Sequence, residues 1–234
     1  MATPTTKPAW YQTSVTAIDP AAQSMLENYS GLKPEEVIPH VLTLELRHLV
    51  YAASIPGSQL YGFDLEAGFF ELGYKLFRDN ADAFPATFVG ADLGGSDEDW
   101  EKAEIVGTMK GKIDVVWAGS LLHFWEYEGQ LRGVERLIGL TRGEPGSIVC
   151  GRQMGSTVAG VYDLNGLTDK TMLHYRHNVE SLVEFWKEVG VRTGSKWEVQ
   201  AELEIGETTT NMRDKAKFMD DNTRVIWWCA TRVE

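Results

Sequence analysis

The stretch Leu60-Tyr61-Gly62-Phe63-Asp64-Leu65-Glu66 decides the fold class that this chain is expected to adopt. A short apolar run that ends on a carboxylate and passes into helical spacing is typical of a strand entering a helix in α/β proteins. A carboxylate in that place often accepts hydrogen bonds from ribose hydroxyls at the carboxyl edge of the sheet. The alternative is an acid that caps the following helix and complements its dipole.

The sequence just before this strand lacks the usual companion of a ribose-binding acid. Such an acid normally follows a glycine-rich strand–turn–helix by about 20 residues. The residues between Leu44 and the strand contain one glycine, Gly57, and no strand followed by a glycine loop. The sequence therefore shows half of a nucleotide site.

A second acid supports the prediction of a nucleotide site. Asp92 lies 28 residues after Asp64 and follows the apolar run Phe88-Val89-Gly90-Ala91. An acid at the end of the next strand commonly meets an adenine amino group, and the alternative is again a cap or turn residue. Two consecutive strands that both end in aspartate favour the nucleotide interpretation, because the carboxyl ends of parallel strands share one edge of the sheet.

Outward from these strands the chain alternates between strand and helix patterns. The alternation predicts an α/β, Rossmann-like, doubly wound and mostly parallel sheet with a reversed C-terminal strand, in a single domain over 1–234. Residues 1–40 form an N-terminal arm with helices, including one over 21–29. The further predicted elements are strands at 59–64, 86–92, 113–119 and 147–153, helices at 44–53, 66–79, 97–109, 127–140 and 178–189, and antiparallel edge strands at 197–205 and 224–232.

Charge and composition restrict the kinds of partner the protein is expected to bind and the compartment it is expected to occupy. The net charge is −12, which argues against nucleic acid or an anionic membrane as the main partner. No stretch approaches the roughly 20 apolar residues of a membrane helix, and residues 1–8 carry no secretory signal. Cys150 and Cys229 lie in apolar, strand-like runs, so we expect free thiols and a cytoplasmic location.

Several other residues are candidates for chemistry. His123 follows the predicted strand that ends at Ala118 and Gly119, and it is a candidate general base, although a histidine hydrogen-bonded inside a loop is an equally good interpretation. Arg152 or Arg176 could hold a carboxylate or phenolate of a small-molecule substrate. Tyr175 belongs to the same candidate substrate pocket, and Asn178 is expected to cap its helix.

The remaining motifs exclude a metal site and two common classes of enzyme. His174 and His177 have no cysteine or carboxylate set that would complete a metal site, so no metal is predicted. The sequence contains no Gly-x-Ser-x-Gly elbow and no phosphate-binding Gly-Lys-Ser/Thr loop.

Whole segments of the chain resemble a known family. The two carboxyl-end acids and the reversed last strand are similar to class I S-adenosylmethionine-dependent methyltransferases. From about Glu45 onward the chain more narrowly resembles the small fungal methyltransferases of meroterpenoid and polyketide pathways. The matching segments are ELRHLVY at 45–51, LYGFDLEAGFFELGYKLFRD at 60–79, GKIDVVWAGSLLHFW at 111–125, PGSIVCGRQMGS at 145–156 and YRHNVESLVEFWKEVG at 175–190.

This resemblance implies a fold, a cofactor and an activity. It implies O-methylation of a carboxyl or hydroxyl group on a small natural product, with S-adenosylmethionine as the cofactor and often a homodimer as the assembly. Carried over by position, Asp64 with Leu65 would meet the ribose, and Asp92 with Leu93 the adenine. The loop from Ala118 and Gly119 to Leu121 would flank the methionine part.

The chain departs from the family at one place. Family members have a strand and a glycine-rich loop before the helix that matches residues 45–53, whereas here Val41-Leu42-Thr43-Leu44 runs directly into Glu45. The first strand of the family and its loop are therefore missing. The alternative to an active methyltransferase is a catalytically silent or repurposed relative that binds an intermediate or guides a cyclisation, or a product of altered splicing.

Overall fold

A computed structural model describes residues 46–163, 172–204 and 219–234 of the chain. The predicted N-terminal arm, with its helix over 21–29, lies outside these residues. The described residues form two compact units, one of residues 46–108 and one that begins at Met109. The single domain expected over 1–234 stays a prediction.

The first unit contains a small parallel sheet and four helices. Helix α1 (Leu46–Ala53) and a 3₁₀ turn (Gly57–Gln59) precede strand β1 (Tyr61–Asp64), helix α2 (Gly68–Phe77) and strand β2 (Thr87–Gly90). Helices α3 (Asp97–Lys102) and α4 (Glu104–Met109) follow. Strands β1 and β2 pair in parallel, with Asp64 opposite Gly90, so their carboxyl ends lie side by side.

An aromatic cluster holds this unit together. The rings of Phe70 and Phe88 stack with centroids 4.5 Å apart, and Phe84 is fully buried beside them. The guanidinium of Arg47 lies 4.4 Å from the Phe84 ring centroid and forms a 2.7 Å ion pair with Asp79. Arg47 is 1% exposed, so its charge is compensated by this carboxylate rather than by water.

The helix predicted over 97–109 is broken in the structure. Helix α3 ends at an extended Ala103, and α4 starts at Glu104. Trp100 and Ile105 are both buried. Five residues apart, they would point about 140° away from each other on one continuous helix, and the break lets both enter the core.

The second unit is built on a four-stranded mixed sheet. Its elements are β3 (Val115–Gly119), a 3₁₀ turn (Leu122–Phe124), α5 (Tyr127–Leu140), β4 (Ile148–Ser156), β5 (Gly160–Asp163), β6 (Leu173–Arg176), α6 (Val179–Thr193), β7 (Trp197–Glu204) and β8 (Thr223–Arg232). The strand order is β3-β4-β8-β7, and β5 pairs with β6 in a separate antiparallel hairpin. Strand β4 runs parallel to β3, whereas β8 runs antiparallel to both β4 and β7. The predicted reversed last strand is confirmed.

Two helices supply the core of the second unit. Leu131, Val134 and Leu137 of α5 are at most 1% exposed and recur at helical spacing. Helix α6 buries Phe185, Trp186 and Val189. As predicted, Asn178 caps α6: its side chain accepts a 2.8 Å hydrogen bond from the Ser181 backbone N–H, and the Ser181 hydroxyl accepts one from the Asn178 N–H.

The described residues thus form an α/β protein with three separate sheets, of which the four-stranded one is mixed. Three of their five strand pairs are antiparallel, so the mostly parallel single sheet that was predicted is not seen in this part of the chain. Strands β1 and β3 each have one neighbouring strand within the part of the chain that the structure describes. None of the described helices is long and apolar enough to cross a membrane.

Candidate functional site

The two aspartates of the first unit lie at the same edge of the β1–β2 sheet. Asp64 is the last residue of β1, and Asp92 follows β2 by two residues. Each carboxylate closes a local turn: Oδ1 of Asp64 accepts a 2.9 Å hydrogen bond from the Glu66 N–H, and Oδ1 of Asp92 a 2.8 Å bond from the Gly94 N–H. Both residues are exposed, so each turn holds a carboxylate open to solvent.

The helix-cap alternative for Asp64 is not what the structure shows. Helix α2 begins after Ala67 and receives no side-chain cap. Ser96 caps helix α3 in place of Asp92, by accepting a 3.1 Å hydrogen bond from the Asp99 N–H. Of the two predicted hydrophobic neighbours, Leu65 is 67% exposed and Leu93 is buried at 4%.

The loop after β3 belongs to the second unit and is fixed by close backbone packing. A Cβ added to Gly151 would lie 2.2 Å from the carbonyl oxygen of Ala118, so β4 approaches this end of β3 with no room for a side chain. Gly119 is exposed, while Ala118 is buried. The Ser120 N–H donates a 2.7 Å hydrogen bond to the Arg152 carbonyl, and Ser120 adopts a positive φ of 56°.

His123 lies in the 3₁₀ turn that follows this loop and is buried. Its ring stacks on Phe124 with centroids 4.6 Å apart, and it is 8% exposed. Its Nδ1 is buried and has no hydrogen-bond partner among the described residues. Burial, together with smaller contributions from the nearby His174 and Arg176, lowers the pKa of His123 to about 4. The imidazole is therefore neutral at pH 7.

His174 links this turn to a buried arginine. Its Nδ1 lies 2.8 Å from the His123 carbonyl oxygen, and its Nε2 accepts a 3.0 Å hydrogen bond from Nε of Arg176. A carbonyl only accepts and a guanidinium only donates, so these partners require the neutral tautomer with the proton on Nδ1. Burial, the largest effect, likewise lowers the pKa of His174 to about 4.

Arg176 is buried within its own set of partners. It is 1% exposed, and its guanidinium donates a 2.7 Å hydrogen bond to the Thr223 hydroxyl and lies 4.3 Å from the Tyr162 ring centroid. Asp220 is its carboxylate partner at 3.5 Å. Burial lowers the pKa of Arg176, while Asp220 opposes that shift. We call His123, His174 and Arg176 the buried polar chain.

The other two candidate substrate residues are more accessible. Arg152 is exposed on β4, with its guanidinium 5.4 Å from the Trp227 ring centroid. Tyr175 is partly buried, and its ring meets Tyr127 edge-to-face. Within the described part of the chain, no cluster of three or more histidine, cysteine or carboxylate side chains could hold a metal ion.

Gln130 is a residue of this region that sequence reasoning missed. It is fully buried, and its side-chain amide donates hydrogen bonds to the carbonyls of Trp125 (3.0 Å) and Tyr175 (2.7 Å). It thus joins α5 both to the segment after the 3₁₀ turn and to β6. The signal in the sequence was that Gln130 is directly next to Leu131, the first residue of the apolar stripe of α5, which indicates a buried amide.

Comparison with known proteins identifies the relationship. A family profile described as "Meroterpenoid methyltransferase N-terminal domain" matches residues 10–53. O-methyltransferase phiE of a fungal species (strain ATCC 74256) is 41% identical over 161 residues, which cover 68% of this chain and 50% of that protein. The chain is related to fungal methyltransferases, including those of meroterpenoid pathways. It spans about half the length of most of the curated relatives it matches.

A second relative bears on the missing segment. O-methyltransferase atr3 of Stereocaulon alpinum is 28% identical over 249 residues, covering 84% of this chain and 69% of that protein. The aligned stretch is longer than the whole chain of 234 residues, so the relative has residues inside the aligned range that this chain lacks.

A solved structure supports the fold. The 1,6-didemethyltoxoflavin-N1-methyltransferase of Burkholderia thailandensis, solved with S-adenosylhomocysteine, matches with a TM-score of 0.50 and 12% identity. The match covers 81% of this chain and 67% of that one. At this identity it shows the class I methyltransferase-like α/β fold and nothing about substrate.

Proposed function

We propose that this chain is an S-adenosylmethionine-dependent O-methyltransferase that acts on the carboxyl or hydroxyl group of a small metabolite in a fungal biosynthetic pathway. The observation that carries the proposal is the pair of exposed carboxylates, Asp64 and Asp92, at neighbouring carboxyl ends of parallel strands. The names of the curated relatives support the reaction class.

The chemistry of the available donors and acceptors fits this cofactor. Ribose hydroxyls and an adenine amino group are hydrogen-bond donors, and exposed carboxylates are acceptors only. Asp64 with Leu65 would hold the ribose, and Asp92 with Leu93 the adenine. The role of Ala118 and Gly119 beside the methionine part stays a prediction from the resemblance. When bound, S-adenosylmethionine supplies an electrophilic methyl group on a sulfonium sulfur.

His123 bears on the kind of acceptor. A hydroxyl acceptor must lose a proton, and a base works best when its pKa lies near the working pH. A pKa of about 4 makes His123 a weak base, although it is always unprotonated at pH 7. A carboxylate acceptor needs no base, so the buried histidine supports a carboxyl group as the site of methylation.

The side chains predicted to contact the substrate differ in how far they are exposed. Arg152 is exposed and can form a bidentate contact with a substrate carboxylate or phenolate. Arg176 is enclosed by its partners, so we assign it a positioning role, and Tyr175 stays a predicted substrate contact. The homodimer implied by the resemblance also stays a prediction, which light scattering tests.

Calorimetric titration with S-adenosylhomocysteine tests the proposal. We expect saturable binding to the purified chain and weakening of about tenfold to a hundredfold in Asp64→Asn, because charge-assisted hydrogen bonds contribute about 1.5–3 kcal/mol. The amide keeps the oxygen that accepts from Glu66, so the turn survives. Asp82→Asn, an exposed acid of the same unit, is the matched control and leaves affinity unchanged.

A second candidate function is favoured by the missing segment. Without the strand and glycine loop of the family, the chain would be a silent or repurposed relative that binds a pathway intermediate. A folded sample that gives no heat with millimolar S-adenosylhomocysteine would contradict methyl transfer and favour this candidate. Binding without transfer of labelled methyl groups to any carboxylic acid or phenol offered would favour it as well.

A further inference from the structure

The two cysteines of the chain meet across the central strands of the second unit. Cys150 of β4 is directly opposite Cys229 of β8 in the antiparallel ladder. Directly opposite residues place their side chains on the same face of a sheet. Both cysteines are free, and both are partly exposed. We call them the cysteine pair.

The phase of the ladder decides how close the two side chains come. The Arg232 N–H donates a 2.9 Å bond to the carbonyl of Ser147, the residue opposite it, which marks a hydrogen-bonded position. The Thr157 N–H does the same to the carbonyl of Asn222 at the other end. Because hydrogen-bonded and non-hydrogen-bonded positions alternate, the cysteine pair, three residues from Ser147, occupies a non-hydrogen-bonded position.

That position brings the two thiols within reach of one another. Cα atoms in non-hydrogen-bonded pairs are about 4.5 Å apart, at the short end of the range that disulfides span. The Cys150 thiol now donates a weak 3.6 Å hydrogen bond to the Val116 carbonyl, which a rotation about its Cα–Cβ bond would release. Burial raises the pKa of Cys150, and the neighbouring Cys229 adds to the rise because two thiolates repel each other.

The face that carries the cysteine pair is open to small reagents. The row across the sheet through the pair is Trp117, Cys150, Cys229 and Gln200. Trp117 is 56% exposed, and Gln200 at the other end of the row is exposed. A small disulfide can therefore approach the thiols from this side.

We propose that Cys150 and Cys229 are a modification site that closes to a cross-strand disulfide by exchange with an oxidised low-molecular-weight thiol such as glutathione disulfide. One thiolate attacks the small disulfide, a mixed disulfide forms, and one reduced thiol leaves. The second thiolate then attacks the mixed disulfide and releases another reduced thiol. The protein loses two electrons and two protons, and the small disulfide takes up both.

Mass spectrometry after incubation in glutathione redox buffers tests the proposal. We expect a product lighter by two hydrogen atoms that resists alkylation by iodoacetamide and forms faster at pH 8.5 than at pH 7. Trypsin cleaves after Arg142, Arg152, Arg224 and Arg232, so the cross-link should join the peptide 143–152 to the peptide 225–232.

A relocated pair is the matched control. In C229S/T231C the second thiol moves two residues along β8 to a position diagonal to Cys150, where Cβ atoms are too far apart for a disulfide. This variant should carry separate glutathione adducts. The proposal is overturned if the native pair does the same, stays fully alkylatable in oxidising buffer, or cross-links two chains instead. The measurement on the native chain decides the matter even if the variant does not fold.

Discussion

The edge formed by β1 and β2 and the buried polar chain of the second unit use polar side chains in opposite ways. At the edge, Asp64 and Asp92 are exposed, and each holds a turn with one oxygen. In the second unit, His123, His174 and Arg176 are buried. The His174 ring contacts the His123 carbonyl and accepts from Arg176, which also donates to the Thr223 hydroxyl. The exposed acids are available to a ligand, whereas the buried polar chain fixes the second unit from within.

This contrast indicates which residues serve ligand binding and which serve the stability of the fold. A group that meets a ligand must be reachable, and removing it costs the folded state little. A buried polar group with several partners contributes to stability because its removal leaves those partners unsatisfied. We therefore expect substitutions in the first region to alter affinity, and substitutions in the second to alter unfolding.

The largest effect is expected from Gly151→Ala in the second unit. The new Cβ would meet the Ala118 carbonyl oxygen at 2.2 Å, and backbone must move to admit it, so we expect a loss of about 3 kcal/mol. In the first unit, the Cβ of Gly62→Ala would meet the ring of Phe88 at 2.7 Å. A side chain yields more easily than a backbone carbonyl, so urea unfolding should show a smaller loss for Gly62→Ala. Equal losses of unfolding free energy in the two variants would contradict this expected difference between the two units.

Arg176→Met tests the buried polar chain itself. The substitution leaves His174 Nε2 without its donor, whereas the Thr223 hydroxyl still accepts from the Asp220 N–H, and we expect the free energy of unfolding to fall by about 2 kcal/mol. Arg142→Met is the control, because the Arg142–Asp114 pair is exposed and contributes less than about 1 kcal/mol. An Arg176 variant as stable as the Arg142 variant would show that the buried polar chain is dispensable for stability.

The pH dependence of stability tests another buried histidine near this chain. Burial lowers the pKa of His177 from 6.5 to about 4, so the unfolded state takes up a proton first as the pH falls. The contribution of His177 is full above pH 6.5 and is lost toward pH 4, at about 1.4 kcal/mol per pH unit. His177→Phe keeps the aromatic contacts with Tyr127 and Phe185, and its urea midpoints between pH 7 and 5 should fall less steeply than those of the native chain.

The smallest effect on stability is expected at the exposed acids. Asp64→Asn and Asp92→Asn keep the oxygen that closes each turn, so thermal unfolding should change by no more than about 0.5 kcal/mol. Their affinity for S-adenosylhomocysteine should nevertheless fall. A large loss of stability in either variant would assign that aspartate to the fold instead of to the ligand.

Much of the secondary structure followed from periodicity alone. Helix α5 spans Tyr127–Leu140, the bounds predicted from its apolar stripe, and α6 and the reversed last strand were also anticipated. The hairpin of β5 and β6 was missed because two strands of four residues carry too little alternation to stand out. The break at Ala103 was missed because it depends on burying Trp100 and Ile105 together.

The sequence by itself determined the α/β class, the two strand-end acids and the relationship to the fungal methyltransferases, because these depend on local pattern and on matched segments. Only the tertiary structure decided which polar residues face solvent. Asp64 remains exposed, while His123 and Arg176 are buried with lowered pKa values. Burial depends on partners far apart in the chain, such as Thr223 for Arg176, and no local pattern encodes those contacts.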